Sequence, residues 1–273
     1  MLGRIYQRQV AVKLKWMDIE KQVQKAASLI AQLCEVDTDF RVFGSQSHRY
    51  RIGPPLSEGE LRAFETKHGV ELPADYRLYL KTVGNGNDDR RPRSPHESVS
   101  AKAGAGPQYG IYRLEDDLVG ERIREPFPFV QKTQIDDELV DLWNGDIPGV
   151  LNISTEGCGN DTYLIVRGEA YGTVLYSWDL DSFWPTGLSF TEWICQWAEH
   201  RIPLVIREKV ANPVREGMSV EEVVAICGDG GRQPYSLERW RPEAALTLRF
   251  EGLATVFEVD DRHVVTRVTK YSL

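Results

Sequence analysis

The side chains able to do chemistry in this chain are mostly carboxylates. Asp116, Asp117, Asp136, Asp137, Glu138 and Asp146 fall within Glu115–Asp146, a stretch with 10 acidic and 3 basic residues. Asp179 and Asp181 stand two apart after an apolar run. Such a pair works as general acid and base when a cleft holds it. A solvated turn is the simpler reading. Cys158 lies in Gly157-Cys158-Gly159-Asn160. A nucleophilic thiol there needs a base, and His200 is the plausible candidate. A small cysteine packed at a tight turn is the simpler account, with Gly157 and Gly159 supplying unusual backbone angles and Asn160 satisfying backbone groups. The five histidines show no HxH or HExxH spacing and the four cysteines no CxxC. No metal site is expected. Gly104-Ala105-Gly106-Pro107-Gln108-Tyr109-Gly110 is not a dinucleotide loop: its spacing is wrong, and Pro107 has no N–H to offer a phosphate. P-loop and GxSxG motifs are absent as well. These residues point to no catalytic set, no cofactor and no metal.

Charge directs attention to a protein partner. The chain has 273 residues and a net charge of −8. Residues 1–56 hold 9 basic and 5 acidic side chains, 57–204 hold 14 and 25, and 205–273 hold 10 and 11. The acidity is therefore concentrated in the middle. A field of that sign repels nucleic acid and attracts basic proteins. A solvated acidic face that keeps the protein soluble is the alternative. Hydrophobic residues make up 41%, enough for a buried core. No apolar run is long enough to cross a bilayer, and Arg4, Arg8, Lys13 and Lys15 interrupt the first sixteen residues, so neither a membrane span nor a secretory leader is expected. A cytoplasmic protein with reduced thiols is the expectation.

The elements that must position these groups follow from spacing. Ile19, Val23, Ala26, Ala27, Ile30 and Leu33 predict a helix over 18–35, and Met17-Asp18 offers an alternative start that leaves 1–17 as an extension. Phe40–Phe43 and Tyr50–Ile52 read as short strands. Ser57-x-x-Glu60 is a capping box opening a helix that ends near Gly69, and Leu72-Pro73 opens the next, with Tyr76, Tyr79, Leu80 and Val83 on its apolar stripe and Gly84 at its end. Residues 84–108 read as a long loop. Val150–Ser154, Thr162–Val166 and Val174–Trp178 read as strands joined by short turns. Ser189-x-x-Glu192 opens a helix with Trp193 and Trp197 in the core, limited or kinked by Pro203, whereas Trp184 beside Pro185 reads as a loop residue suited to an interface. Beyond a boundary at about 211–213, Ser219-x-x-Glu222 opens another helix, followed by strands over 246–250, 255–259 and 263–269. The connections are too short for parallel crossovers. The expected class is α+β: an antiparallel or mixed β-sheet flanked by helices over 18–205, plus a small helix-and-antiparallel-sheet unit over 214–273.

Phe43-Gly44-Ser45 with His48-Arg49-Tyr50, Pro54-Pro55-Leu56-Ser57, Glu65 to Gly69, Leu72-Pro73-Ala74-Asp75-Tyr76, Val83-Gly84-Asn85-Gly86, Gly104–Gly110, the Gly-Cys-Gly-Asn turn, Thr162–Val166, Gly172–Trp178 and Phe190–Trp197 occur in the order of the SUKH superfamily. Residues 18–205 resemble this Smi/Knr-type group of bacterial immunity proteins and fungal cell-wall regulators. Asn87–Ala103 departs from it as an insertion. Residues 215–273 resemble the small domain of outer-membrane assembly lipoproteins (SmpA/BamE type) through Glu216-Gly217-Met218-Ser219, Glu221-Glu222-Val223 and Gly228; without a lipobox, the shape is carried over and the membrane role is not.

The resemblance implies a protein that is not an enzyme and that neutralises a polymorphic toxin, often a nuclease or deaminase, by binding it. It also implies that Leu72, Pro73, Tyr76, Gly84, Gly157, Cys158, Gly159, Asn160 and Trp193 are structural. An acidic inhibitor suits a nuclease, whose phosphate groove is basic. The expected contact set is Asp116, Asp117, Asp136, Asp137, Glu138 and Asp146, with Asp179, Asp181 and Trp184 at its rim. A regulatory protein-binding scaffold of the cell-wall-regulator kind is the alternative, and an enzyme using Cys158 is a third reading.

Overall fold

A computed structural model of the protein describes residues 2–86, 105–107, 109–115, 119–134, 146–157, 160–178, 182–227, 233–235, 246–249, 253–260 and 262–271. Two units are distinguished, Met1–Cys34 with Gly44–Ala198, and Glu35–Phe43 with Glu199–Leu273.

In the first unit, helix α1 (Leu2–Val36) buries Val23, Ala26, Ile30 and Leu33. Their spacing of three and four residues keeps them on one stripe. After a single turn, α2 (Ser45–His48), helix α3 (Glu58–His68) begins at a complete capping box. Ser57 Oγ accepts from Glu60 N, and the Glu60 carboxylate accepts from Ser57 N at 2.7 Å. Helix α4 (Ala74–Thr82) starts at Pro73, whose fixed φ suits a helix entrance. A bridge of charges fastens α3 to α4. Arg77 reaches both Glu58 (2.8 Å) and Glu65 (3.1 Å), and Glu65 also accepts from Leu72 N at the turn between them.

The sheet of this unit comprises β1 (Thr133–Gln134), β2 (Val150–Gly157), β3 (Asn160–Ile165), β4 (Thr173–Trp178) and β5 (Ser182–Ser189), in the order β1-β5-β4-β3-β2 and antiparallel throughout. One face carries a cluster of Phe127, Ile147, Val150, Tyr163, Ile165, Leu175 and Phe183. Helix α5 (Phe190–Ala211) follows β5 directly, with Ser189 N donating to the Glu192 carboxylate at 2.9 Å. Tyr76 and Tyr79 of α4 meet Phe190 edge-on, at centroid distances of 4.6 and 5.2 Å.

In the second unit, β6 (Gln233–Tyr235), β7 (Leu246–Arg249), β8 (Thr255–Val259) and β9 (Val265–Lys270) form an antiparallel sheet in chain order. Helix α6 (Val220–Cys227) packs Val220 and Val223 into a cluster with Phe257, Val259 and Val265. Its capping box is formed, with Ser219 N donating to Glu222 at 2.7 Å. At the centre of the unit lies Glu208, 2% exposed, whose carboxylate accepts from Arg41 Nη1 (2.8 Å), Thr255 Oγ1 (2.7 Å), Thr255 N and Ala254 N.

Several expectations are corrected. Phe40–Phe43 and Tyr50–Ile52 are not strands. Phe40, Arg49 and Tyr50 have φ of 52°, 48° and 55°, and the Asp37 carboxylate accepts from Arg41 N and Val42 N, holding that chain in a local turn. Residues 182–189, read as a loop around Trp184-Pro185, form strand β5. Pro185 lies opposite Leu175, and Thr186 Oγ1 supplies a donor to Val174 O at 2.8 Å beside the proline's missing N–H. Helix α5 continues through Pro203 to Ala211.

Candidate partner-binding surface

Of the expected contact set, Asp116, Asp117, Asp136, Asp137, Glu138, Asp179 and Asp181 lie outside the described residues. Asp146 and Trp184 are described. Asp146 is half-buried, and its Oδ2 accepts from Arg122 N at 3.0 Å, so it holds the turn at 120–123. Half of that carboxylate is thus spent on the fold, and its capacity to serve a partner is smaller than its charge suggests. Trp184 is 53% exposed, with Lys132 Nζ 5.2 Å from its ring centroid. The pairing Thr133↔Phe183, extended by one residue, places Lys132 opposite Trp184 on the neighbouring strand. An ammonium over an indole face is attracted by the ring's quadrupole.

Sequence reasoning passed over Trp178. It is 66% exposed at the end of β4. The register Trp178↔Ser182 and Tyr176↔Trp184 puts Tyr176, Trp178 and Trp184 on one face of the sheet. A signal was present, since Trp178 opens the run of four tryptophans over 178–197. Helical spacing placed Trp193 (2% exposed) and Trp197 (9%) in the core, and Trp184 was read as suited to an interface, but nothing in the spacing assigned Trp178.

The motif residues are built into the scaffold. Leu72 and Tyr76 are 2% and 1% exposed. The buried Tyr76 and Tyr79 phenols are pushed far above their ordinary pKa, because burial disfavours the phenolate. Gly84 lies where a Cβ would meet Gly53 O at 2.2 Å, so that position admits no side chain. Gly157 has φ +87° at the end of β2, and Asn160 opens β3, while Cys158 and Gly159 lie outside the described residues. Trp193 Nε1 donates to Tyr176 Oη at 2.8 Å. The Gly-rich stretch at 105–110 edges the sheet. Ser154 Oγ donates to Gly110 O (2.8 Å), and Tyr112 N donates to Ile153 O (2.8 Å).

Titratable groups elsewhere are likewise engaged. His48 is buried, accepts from Tyr50 N through Nδ1 at 3.0 Å, and meets Trp197 edge-on at 6.4 Å. Asp161 on β3 is half-buried; desolvation holds its carboxyl above the ordinary aspartate range, against opposing hydrogen bonds from Thr155, Tyr163 and Asn152. Beside it, burial and the Asp161 charge push the Tyr112 phenol up to about 12. A groove of about 670 Å³ beside α3 is lined by Glu60, Lys67, Arg113 and Glu115 over Phe64 and Leu114. Its two acids and two bases give it no net charge with which to select a ligand. Among the described residues, no group of three or more His, Cys, Asp or Glu could hold a metal ion. Among them, too, no helix is long and apolar enough to cross a membrane.

The arrangement presents an exposed aromatic pair, Trp178 and Trp184, on one face of the sheet within the acidic part of the chain. No curated protein matches this chain, and no solved structure does. The resemblance of residues 215–273 to the SmpA/BamE type receives no family match. Residues 55–196 match the SMI1 / KNR4 family (SUKH-1), and with half of its length so matched the chain belongs to that family.

Proposed function

We propose that this protein is a cytoplasmic immunity protein that binds a polymorphic toxin domain of the nuclease type one-to-one and occludes its active site. The family match over residues 55–196 carries the reading. The acidic middle segment supports it, because a nuclease exposes a basic groove that such a segment fills. The protein acts by binding, not by catalysis. Its motif residues are consumed by packing and backbone support, as Tyr76, Gly84 and Trp193 illustrate. Asp116, Asp117, Asp136, Asp137 and Glu138 are the proposed acidic contacts, and Asp179, Asp181 and Trp184 their rim.

The test is co-purification from the native host at low salt, with mass spectrometry of the captured proteins. A basic toxin domain, captured by the wild type and lost with Asp136→Lys/Asp137→Lys, is the expected result. Capture of wall-synthesis or signalling proteins alone overturns the toxin reading in favour of a Smi/Knr-type regulatory scaffold. Undiminished capture of the toxin by the charge-reversed variant removes this acidic pair from the interface.

A further inference from the structure

We propose that Trp178 and Trp184 form a stacking platform for arginine and lysine side chains of a basic protein partner. The inference rests on the binding reading above and names the surface and the chemistry that it recognises.

Tryptophan carries the largest apolar side chain, and a fold ordinarily covers most of it. Here two stand 66% and 53% exposed on one sheet face. The pairs Trp178↔Ser182 and Tyr176↔Trp184 make them diagonal neighbours across β4 and β5. Diagonal positions lie roughly 7–8 Å apart, within reach of one partner segment. Tyr176, their neighbour on the same face, is fixed by a 2.8 Å hydrogen bond that its hydroxyl accepts from the buried Trp193, so helix α5 bounds this face on one side.

The chain itself demonstrates the chemistry. Lys132 Nζ stands 5.2 Å from the Trp184 centroid, inside the roughly 6 Å range of a cation–π contact. A partner's guanidinium is planar and weakly hydrated, and it stacks on indole better than an ammonium does. Charge selects the same class of partner. Asp179 and Asp181 occupy the connection between Trp178 and Ser182, and Glu115–Asp146 holds 10 acidic residues against 3 basic. Nucleic acid is repelled by such a field. A second copy of this chain, also at −8, is repelled too.

The experiment titrates the full chain with a deca-arginine peptide at low salt, by calorimetry and tryptophan fluorescence. Trp178→Leu/Trp184→Leu keeps an apolar side chain at each position and every charge while removing both indoles, and is expected to bind about tenfold more weakly. Trp178→Phe/Trp184→Phe is expected to restore most of the affinity. Failure of the wild type to bind the peptide, equal binding of the leucine variant, or equal binding of deca-glutamate overturns the platform. The single variants provide the same comparison if the double variant lowers the melting temperature. The two readings fail separately. Absence of a toxin from the co-purification sinks the immunity role and leaves the peptide result standing. A toxin captured equally by the leucine variant sinks the platform and leaves the immunity role standing.

Discussion

Asp75 and Thr191, 116 residues apart, are joined by two hydrogen bonds to one carboxylate oxygen: Asp75 Oδ2 accepts from Thr191 N at 2.9 Å and from Thr191 Oγ1 at 3.0 Å. The aspartate sits in the first turn of α4 and satisfies an N–H in the first turn of α5. The first turn of a helix has unpaired N–H groups and a positive end, so a buried carboxylate is at its most favourable there. The Leu-Pro-Ala-Asp-Tyr motif is thereby explained as a helix junction rather than as a site.

Asp75→Ala leaves a buried N–H and hydroxyl without their acceptor. The expected cost is about 2–3 kcal/mol, measured by urea unfolding, the range for lost hydrogen bonds to a charged group. Asp75→Asn keeps an acceptor oxygen and is expected to lose less than half of that.

Gly84→Ala is expected to destabilise by more than about 2 kcal/mol or to abolish soluble expression. A Cβ there falls 2.2 Å from Gly53 O, and Gly53 N also donates to Gly86 O, so neither chain can retreat without breaking that pairing. Thermal unfolding with circular dichroism measures the loss.

Glu208→Ala is expected to open the second unit alone. Removing the carboxylate leaves the Arg41 charge with only its Nη2 contact to Tyr271 O and strands the donors of Ala254 and Thr255, at a cost of about 3–5 kcal/mol. Hydrogen exchange reads this locally: amides of 254–259 and 265–270 lose protection, and those of 150–178 do not.

Asp161 sets a pH dependence. Its folded-state pKa is raised by desolvation, so ionisation disfavours the fold. The stability linked to its protonation is fully present below the unfolded-state value and is lost as pH rises through the folded-state value. Asp161→Asn therefore raises the melting temperature at pH 7 and leaves it unchanged at pH 3. An equal shift at both pH values contradicts the assignment.

Local signals were readable where the physics is local. The capping boxes at Ser57, Ser189 and Ser219, the apolar stripe of α1, and the turns flanking β3 all depend on residues within a few positions of each other. The strands expected at 40–43 and 50–52 failed because β-rich composition there was overridden by Asp37 binding two backbone N–H groups and by left-handed residues at 49 and 50. Strand β5 was missed because Pro185 and Gly187 depress strand propensity, while its pairing partner β4 restores it.

The sequence by itself determined the class, the capped helices, the β2–β3–β4 meander, the acidic middle segment and the family likeness, because periodicity, caps and charge are written in neighbouring residues. Tertiary structure alone decided that Asp75 caps a helix from far along the chain, that Arg41 belongs with Glu208, and that Trp178 faces solvent beside Trp184 on one face of the sheet. The physical reason is common to all three. Burial and long-range hydrogen bonding depend on which distant segments the packed chain brings together, and a single residue's type carries no record of that.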